Sequence, residues 1–241
     1  MTTAIIITGA MRSAERCLPT LKSVVLPHFK DHEIKFYIVT EDDEDAHKTD
    51  LFKGAVVRKV KQPPMEIPPG CPDTWTQGQP YMHEPYAISV HPHAVLGQLW
   101  MLREGWRLYQ EANEPAQLII RCRPDLWFHS FEMPTPVWES QRNDYAAVPW
   151  WGRFGGCNDR FALLKPAAAK AYFETYERIP DMIKRGCPLH PESLVFNSMR
   201  FDGCLINERM KAEFSTLRKS GEMRPPEITL VDLGHAAIRP W

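Results

Sequence analysis

The 241-residue sequence predicts a single α/β domain in which helices flank a mostly parallel central sheet. Two short apolar runs, residues 4–8 and 118–128, are typical of strands that are buried in such a sheet. Residues 94–111 place apolar side chains at helical spacings of three and four, and they lead directly into the second run. This order predicts a strand, a crossover helix and a parallel strand.

The N-terminal part of the chain alternates further predicted strands with a helix. Residues 15–29 have the pattern of an amphipathic helix, and we expect the helix proper to begin at Pro19 because proline favours the first helical turn. Residues 34–39 and 55–60 are predicted as the second and third strands. The acidic run at residues 41–45 is predicted to be a solvated loop.

Residues 61–93 form a proline- and aromatic-rich insertion. Eight prolines in this stretch exclude a long helix or a central strand, whereas Trp75, Tyr81 and Tyr86 argue against disorder. We therefore expect a long ordered loop that lies over the sheet edge and shapes the choice of acceptor. Its histidines are assigned to packing rather than to a metal, because no carboxylate stands at helical spacing from them.

The C-terminal half continues the α/β pattern. The predicted elements are a loop at residues 129–136, a strand at 145–149, a glycine-rich turn that runs into a strand within 150–164, a helix at 165–179 with Pro166 at its start, a helix opened by His190 and Pro191, and a last short strand at 227–233. The alternation of predicted helices with predicted strands indicates that this half belongs to the same α/β domain.

Charge and composition exclude several classes of partner. The net charge of −1 gives no electrostatic footprint for nucleic acid or for an anionic membrane surface, so any anion must be held by a few local arginines. The N-terminus lacks the basic and apolar regions of a signal peptide, and no apolar run is long enough to span a membrane, which predicts a cytoplasmic protein. The six cysteines show no paired spacing and are expected to be reduced thiols.

Polar residues follow two of the predicted strands. Gly9 and Arg12 come directly after the first strand, and Arg121, Arg123 and Asp125 interrupt the apolar run at residues 118–128. Because the carboxyl ends of parallel strands meet at the edge of the sheet where ligands bind, these residues are candidates for a ligand site. The alternative is a cluster of structural ion pairs around a strand end.

The order of four short motifs resembles small glycosyltransferase-like proteins with the GT-A fold, which is a Rossmann-like nucleotide-sugar-binding domain. The motifs are Ile7-Thr8-Gly9-Ala10-Met11-Arg12, Arg121-Cys122-Arg123-Pro124-Asp125-Leu126, Asn158-Asp159-Arg160-Phe161-Ala162 and His190-Pro191-Glu192. The resemblance covers roughly residues 4–205, and the arginine-rich motif is the most specific of the four. It implies a nucleoside-diphosphate sugar as donor substrate and a carbohydrate as acceptor.

The resemblance also implies a divalent cation, which a D-x-D motif binds at the end of a central strand. The matching positions here are Arg123-Pro124-Asp125, so an arginine replaces the first carboxylate. Two readings stay open. Either Asp125 alone ligates Mg²⁺ or Mn²⁺ together with phosphates and waters, or Arg123 itself neutralises the phosphate charge and no metal is needed.

Further roles follow from the same resemblance. Arg12 and Arg123 are expected to contact the donor phosphates, and Arg121 is expected to belong to the donor-binding site without a more specific role. Gly9 is expected to allow the nucleotide to approach the backbone, and Thr40 or its neighbour Glu41 to border the base. Asp125 is expected to bind the metal or donor hydroxyls.

The carboxylates later in the chain are the candidates for the acceptor side. Asp159 is expected to act as catalytic base or to bind a sugar hydroxyl, and Glu192 is the alternative candidate. A simple capping role at the start of a helix also accounts for Glu192. A non-catalytic carbohydrate- or nucleotide-binding protein stays open as an alternative function. A sugar nucleotidyltransferase is favoured less, because the loop after the first strand is short and carries one arginine.

Overall fold

The structure of the chain is a computed structural model, and it describes residues 1–70, 75–76, 89–90, 92–134, 141–153 and 155–226. The strands, numbered in chain order, are Thr2–Thr8 (β1), Glu33–Glu41 (β2), Val56–Val60 (β3), Trp75–Thr76 (β4), Ser89–Val90 (β5), Leu118–Cys122 (β6), Leu126–Phe131 (β7), Tyr145–Pro149 (β8), Phe161–Leu164 (β9), Leu205–Met210 (β10), Ala212–Leu217 (β11) and Met223–Arg224 (β12). The α-helices are Ala14–Thr20 (α1), Pro92–Ala112 (α2), Pro166–Phe173 (α3), Thr175–Lys184 (α4) and Pro191–Phe201 (α5).

A seven-stranded sheet forms the centre of the fold, with strand order β10-β8-β9-β6-β1-β2-β3. Strand β1 pairs in parallel with β2 and β6, and the β2–β3 and β8–β10 pairs are parallel as well. Only β9 runs against its neighbours β6 and β8. The prediction of an α/β fold with a mostly parallel sheet is therefore confirmed, and the carboxyl ends of the six other strands share one edge.

Both faces of this sheet are covered, which explains the continuous apolar runs in its central strands. In β1, Ala4 and Ile6 face the core that contains α2, α3 and α5, whereas Ile5 and Ile7 face the second core. This second core contains α1 and a three-stranded antiparallel sheet in the order β12-β11-β7. Alternate residues of one strand therefore stabilise two separate layers.

The apolar run at residues 118–128 is two strands rather than one. Strand β6 ends at Cys122 and β7 begins at Leu126, in the smaller sheet. Pro124 stands between them, where a residue without a backbone N–H does not continue a ladder. The predicted loop at residues 129–136 is wrong at its start, because β7 continues to Phe131 by pairing antiparallel with β11.

Two of the predicted helices have different bounds. Helix α1 begins at Ala14 and contains Pro19 in its interior, so the predicted start at Pro19 is wrong. A π-helical turn, Leu21–Val25, and a 3-10 turn, Leu26–Phe29, follow it, because the N–H that proline lacks interrupts the regular hydrogen-bond pattern. The predicted helix at residues 165–179 is the pair α3 and α4, which separate at Glu174.

The remaining predicted elements divide into confirmed, missed and undescribed ones. Strands β1, β2, β3, β8 and β9 and helices α2 and α5 are confirmed. Strands β10, β11 and β12 were not predicted, nor were the two-residue strands β4 and β5 within the insertion that was predicted to be a loop. The predicted strand at 227–233 and most of the insertion after residue 70 lie outside the described residues. Within the part of the chain that the structure describes, no helix is long and apolar enough to cross a membrane.

Candidate active site

A cavity of about 390 Å³ opens at the carboxyl ends of β1 and β6. Its walls are the loop at residues 8–13 after β1, the turn at residues 121–125 after β6, and the end of β11 at residues 217–219. The first half of α2 closes the cavity with Gln98 among its lining residues. The structure thus places a concave site at the sheet edge where the strand order predicts one.

Hydrogen bonds join the three walls. The Ser13 hydroxyl donates to the Leu217 carbonyl over 2.6 Å, and the Leu217 N–H donates to the Asp125 carbonyl over 2.9 Å. Gly9 adopts a φ of +129°, and a β-carbon there would stand 3.5 Å from the Pro124 ring. Because side chains strongly disfavour this backbone conformation, glycine is what lets the first loop turn beneath the β6–β7 turn.

Arg123 and Asp125 form a bidentate ion pair on the cavity wall. Arg123 donates from Nε to one carboxylate oxygen over 2.9 Å and from Nη2 to the other over 2.7 Å. Burial alone would raise the pKa of Asp125, but the charge and hydrogen bonds of Arg123 outweigh it and hold that pKa below its usual value. The carboxylate is therefore charged at neutral pH and committed to Arg123.

Arg121 is an unusual residue because its guanidinium is almost wholly buried, with 1% of the residue exposed, yet it lines the cavity. Its Nη1 donates to the Cys122 carbonyl over 2.8 Å and to the Thr8 carbonyl over 3.4 Å. Among the described residues its Nε has no hydrogen-bond partner, and no carboxylate oxygen lies within 4.0 Å. Burial lowers the pKa of Arg121, but arginine remains charged in proteins.

Positive charge predominates around the cavity. Its described lining carries five cationic side chains, Arg12, Arg121, Arg123, Arg218 and Lys219, against the carboxylates Glu41 and Asp125. Burial, followed by the charges of Arg224 and Arg123, lowers the pKa of Arg218. Of these cations only Arg121 is buried, and like charges that converge on one cavity favour an anion in the space between them. A chain with a net charge of −1 therefore holds a local cationic site.

The structure brings together five of the eight residues that the sequence nominated for the site. Gly9, Arg12, Arg121, Arg123 and Asp125 all line the cavity. The other three, Thr40, Asp159 and Glu192, are buried and lie outside this lining, although the neighbour of Thr40, Glu41, belongs to it.

Asp159 reaches the cavity through one intermediate side chain. Gln98 lines the cavity and donates from Nε2 to the Asp159 carboxylate. The Tyr172 hydroxyl donates to the Asp159 carbonyl over 2.7 Å, which fixes the backbone on the other side. Because the Gln98 amide nitrogen is hydrogen-bonded to Asp159, the side-chain oxygen of Gln98 has a fixed orientation and can accept a hydrogen bond from a ligand.

Glu192 lies in the first turn of α5, beside a buried histidine. Its Oε2 lies 3.1 Å from Nδ1 of His190, and its carbonyl accepts the Cys157 N–H over 3.2 Å. Burial, together with the charge of Arg160, lowers the pKa of His190 from 6.5 to about 3. The imidazole is therefore neutral at physiological pH.

We expect His190 to make the fold sensitive to mild acid. In the unfolded chain the His190 ring binds a proton below about pH 6.5, whereas in the folded chain the ring stays neutral down to about pH 3. The free energy of unfolding should therefore fall by about 2 kcal/mol between roughly pH 7.5 and pH 5 through this residue alone. Denaturant unfolding of the wild type and of His190→Gln at both pH values measures the difference. Equal pH dependence in the two proteins would contradict the assignment.

Arg218, Lys219 and Gln98 are lining residues that the sequence analysis missed. Arg218 and Lys219 follow β11 directly, and Lys219 pairs with Glu44 in the acidic run after β2. The available signal was the partly alternating stretch at residues 212–217, which ends in two cations and the turn residues Ser220 and Gly221. No such signal marks Gln98, because its helix was assigned to the core.

Comparisons with known proteins find distant structural neighbours. No protein-family model matches the sequence, and no curated protein matches it. The glycosyltransferase GlyE of Streptococcus pneumoniae TIGR4, in its apo form, is 14% identical over 84% of this chain and 44% of its own, with a TM-score of 0.43. A nucleoside-diphosphate-sugar pyrophosphorylase of Vibrio cholerae RC9 is 12% identical over 85% and 90%, with a TM-score of 0.45. The galactosyltransferase LgtC is 13% identical over 83% and 70%, with a TM-score of 0.40. The chain thus spans less than half the length of the GlyE chain.

Proposed function

We propose that this chain is a glycosyltransferase with a GT-A-like fold, which moves a sugar from a nucleoside-diphosphate sugar to a hydroxyl of a glycan or another acceptor. The observation that carries the proposal is the buried guanidinium of Arg121 in a cationic cavity at the sheet edge. Burying a charge without a paired carboxylate is costly. A ligand that brings negative charge into the cavity would supply a charged partner, which the described residues do not place within 4.0 Å of Arg121.

A diphosphate fits this requirement in charge and in hydrogen bonding. Arg121 lies at the base of the cavity, while Arg12 and Arg218 are more exposed and lie in two of its walls. Guanidinium groups bind phosphate oxygens through paired N–H donors. In glycosyl transfer the negative charge grows on the leaving diphosphate, so preorganised cations at that position stabilise the transition state more than the ground state.

The nucleoside is assigned to the side of the cavity near β2. Glu41, at the carboxyl end of β2, lines the cavity with a carboxylate that can accept hydrogen bonds from ribose hydroxyls. Gly9 lines the cavity on the same side, where its N–H donates to the Val39 carbonyl of β2 over 3.1 Å. Thr40 is fully buried, so we assign it to the support of this wall rather than to ligand contact.

The sugar and the acceptor are assigned to the side of Gln98 and Asp159. Gln98 offers a carbonyl oxygen to a sugar hydroxyl, and Asp159 holds that amide in place from the buried layer behind it. In this arrangement Asp159 is a positioning residue. Glu192 supports the same wall through its backbone contact with Cys157.

We expect Asp159→Asn to reduce sugar transfer more than donor binding. The substitution keeps the side-chain shape but removes the charge that fixes Gln98, so kcat should fall about tenfold, which corresponds to the loss of one charged hydrogen bond. The Kd of the nucleoside diphosphate should stay within roughly twofold, since the phosphate site is untouched. Asp144→Asn, at a half-buried position in the turn before β8, is the matched control. A larger loss in donor affinity than in kcat would move Asp159 to the donor side.

A non-catalytic binding protein is the second candidate. The observation that favours it is the burial of both candidate carboxylates, Asp159 and Glu192, behind the cavity wall. Such a protein would hold a nucleotide sugar without a group positioned to activate an acceptor. The two functions differ in turnover and not in binding.

One experiment separates the two candidates. The chain is incubated with a panel of nucleotide sugars and saccharide acceptors, and the released nucleoside diphosphate is measured together with thermal stabilisation. Stabilisation with release of nucleoside diphosphate supports the transferase. Stabilisation without release by any donor and acceptor pair supports the binding protein, and the absence of both contradicts the proposed ligand.

A further inference from the structure

The residues at the D-x-D position do not suit a divalent cation. Both oxygens of Asp125 already accept hydrogen bonds from Arg123, at 2.9 and 2.7 Å. Within the described parts of the chain, no group of three or more histidine, cysteine, aspartate or glutamate side chains is arranged to hold a metal ion. Hard cations such as Mg²⁺ and Mn²⁺ require several oxygen ligands. The donor set around Asp125 consists instead of guanidinium groups.

The local charges point the same way. Arg121 and Arg218 line the same cavity as the Arg123–Asp125 pair, and Arg123 is bound directly to the carboxylate that a cation would need. Guanidinium groups repel a divalent cation and attract a phosphate. The charges of this cavity therefore disfavour the binding of a divalent cation and favour the binding of a phosphate group.

Resting on the proposed function, we infer that the diphosphate site of this chain works without a divalent cation. Arg123, held in a fixed orientation by Asp125, takes the place of the ion, and Arg121 and Arg218 provide the remaining positive charge. Asp125 is therefore a positioning residue for Arg123 and not a metal ligand. Of the two alternatives for the Arg123-Pro124-Asp125 segment, this inference favours the one in which Arg123 neutralises the phosphate charge.

A second ion pair in the chain has the same bidentate geometry. Arg142 and Asp144 have the same spacing in sequence and the same two hydrogen bonds, 2.9 and 2.7 Å long. Their side chains are 56% and 30% exposed, whereas those of Arg123 and Asp125 are 24% and 16% exposed. The Arg123–Asp125 pair lies in the cationic cavity, whereas the Arg142–Asp144 pair lies outside its lining. Substitutions in the Arg142–Asp144 pair are therefore matched controls.

The test is calorimetric titration of the whole chain with inorganic pyrophosphate, a diphosphate that carries neither base nor sugar. We expect pyrophosphate to bind in the presence of EDTA with an affinity at least as high as in Mn²⁺. Free Mn²⁺ should lower the apparent affinity, since it competes for pyrophosphate in solution. Mn²⁺ alone, followed by electron paramagnetic resonance, should show no binding.

Two variants in the cavity should change pyrophosphate binding in opposite ways. Arg123→Gln removes a phosphate donor and leaves the Asp125 charge uncompensated, so the Kd should rise at least about tenfold. Asp125→Asn removes a negative charge from the cavity and keeps an amide oxygen that can accept a hydrogen bond from Arg123, so the Kd measured in EDTA should fall, by up to about threefold. Arg142→Gln and Asp144→Asn should leave the Kd unchanged. A metal-ligand role for Asp125 requires the opposite result, a large loss of binding in Asp125→Asn.

The outcomes distinguish this inference from the proposed function. Pyrophosphate binding that requires Mn²⁺ overturns the inference and leaves the diphosphate site in place. The absence of binding in both EDTA and Mn²⁺ overturns the site itself, and the inference with it. Because the comparison of EDTA with Mn²⁺ uses the unaltered chain, it decides the question even if a variant fails to fold.

Discussion

Replacing Arg121 by methionine is expected to abolish diphosphate binding while the protein unfolds at an unchanged or higher temperature. Arg121 is buried beneath the cavity, and no carboxylate oxygen lies within 4.0 Å of it among the described residues. The folded chain therefore bears the cost of a desolvated charge, and replacing buried charges by apolar side chains of similar volume is often neutral or stabilising by about 1–4 kcal/mol. Methionine cannot make the hydrogen bonds that Arg121 donates to the Thr8 and Cys122 carbonyls, and this loss partly offsets the gain in stability.

The binding half of this prediction follows from the same burial. Charged hydrogen bonds to phosphate contribute about 1.5–3 kcal/mol each, so the loss of two such bonds should weaken pyrophosphate binding roughly a hundredfold or more. Calorimetry and thermal unfolding of the wild type, Arg121→Met and Arg142→Met measure both quantities. A variant that unfolds at a much lower temperature but still binds pyrophosphate would show that Arg121 is a structural residue.

The second large effect is expected from Gly156→Ala. A β-carbon at this position would overlap the carbonyl of Glu192 and stand 2.5 Å from the Ser193 nitrogen, which are backbone atoms at the start of α5. Because backbone cannot swing aside as a side chain can, the helix would have to separate from the turn before β9. We expect the free energy of unfolding to fall by about 3 kcal/mol.

Gly97→Ala is the matched control for this substitution. Its β-carbon would also meet other atoms at close range, but they belong to the side-chain amide of Gln62. That flexible end can move away, and alanine favours the helical conformation of α2, so the free energy of unfolding should change by less than about 1 kcal/mol. Equal effects of the two substitutions would contradict the close packing of Gly156 on α5.

The central strands were predictable because both their faces are buried. Ile5, Ile6 and Ile7 supply apolar side chains to two cores in turn, and this demand leaves a continuous apolar run in the sequence. Strand β11 has no such run, because it pairs antiparallel with β7 and its exposed Glu213 interrupts the pattern. Its pairing with β7 depends on contacts between residues far apart in sequence, which local pattern does not encode.

The site was predictable to the extent that parallel strands bring their ends together. Gly9, Arg12, Arg121 and Asp125 meet at one edge because β1 and β6 are parallel neighbours. Arg218 enters the cavity from an antiparallel strand of the smaller sheet, so no rule for parallel strands applies to it. The sequence also did not show which arginine forms the ion pair with Asp125, because Arg121 and Arg123 are both close to the same turn. The folded structure shows that the partner is Arg123.

The most direct test of the account is a crystal structure of the chain with a bound nucleoside diphosphate. The nucleotide is the one that stabilises the chain most in a panel of the uridine, guanosine, adenosine, cytidine and thymidine diphosphates. We expect the diphosphate to lie within hydrogen-bond distance of Arg121 and Arg123, with the ribose towards Glu41. A diphosphate bound outside the cavity between β1, β6 and β11, or held by a metal ion on Asp125, would contradict it.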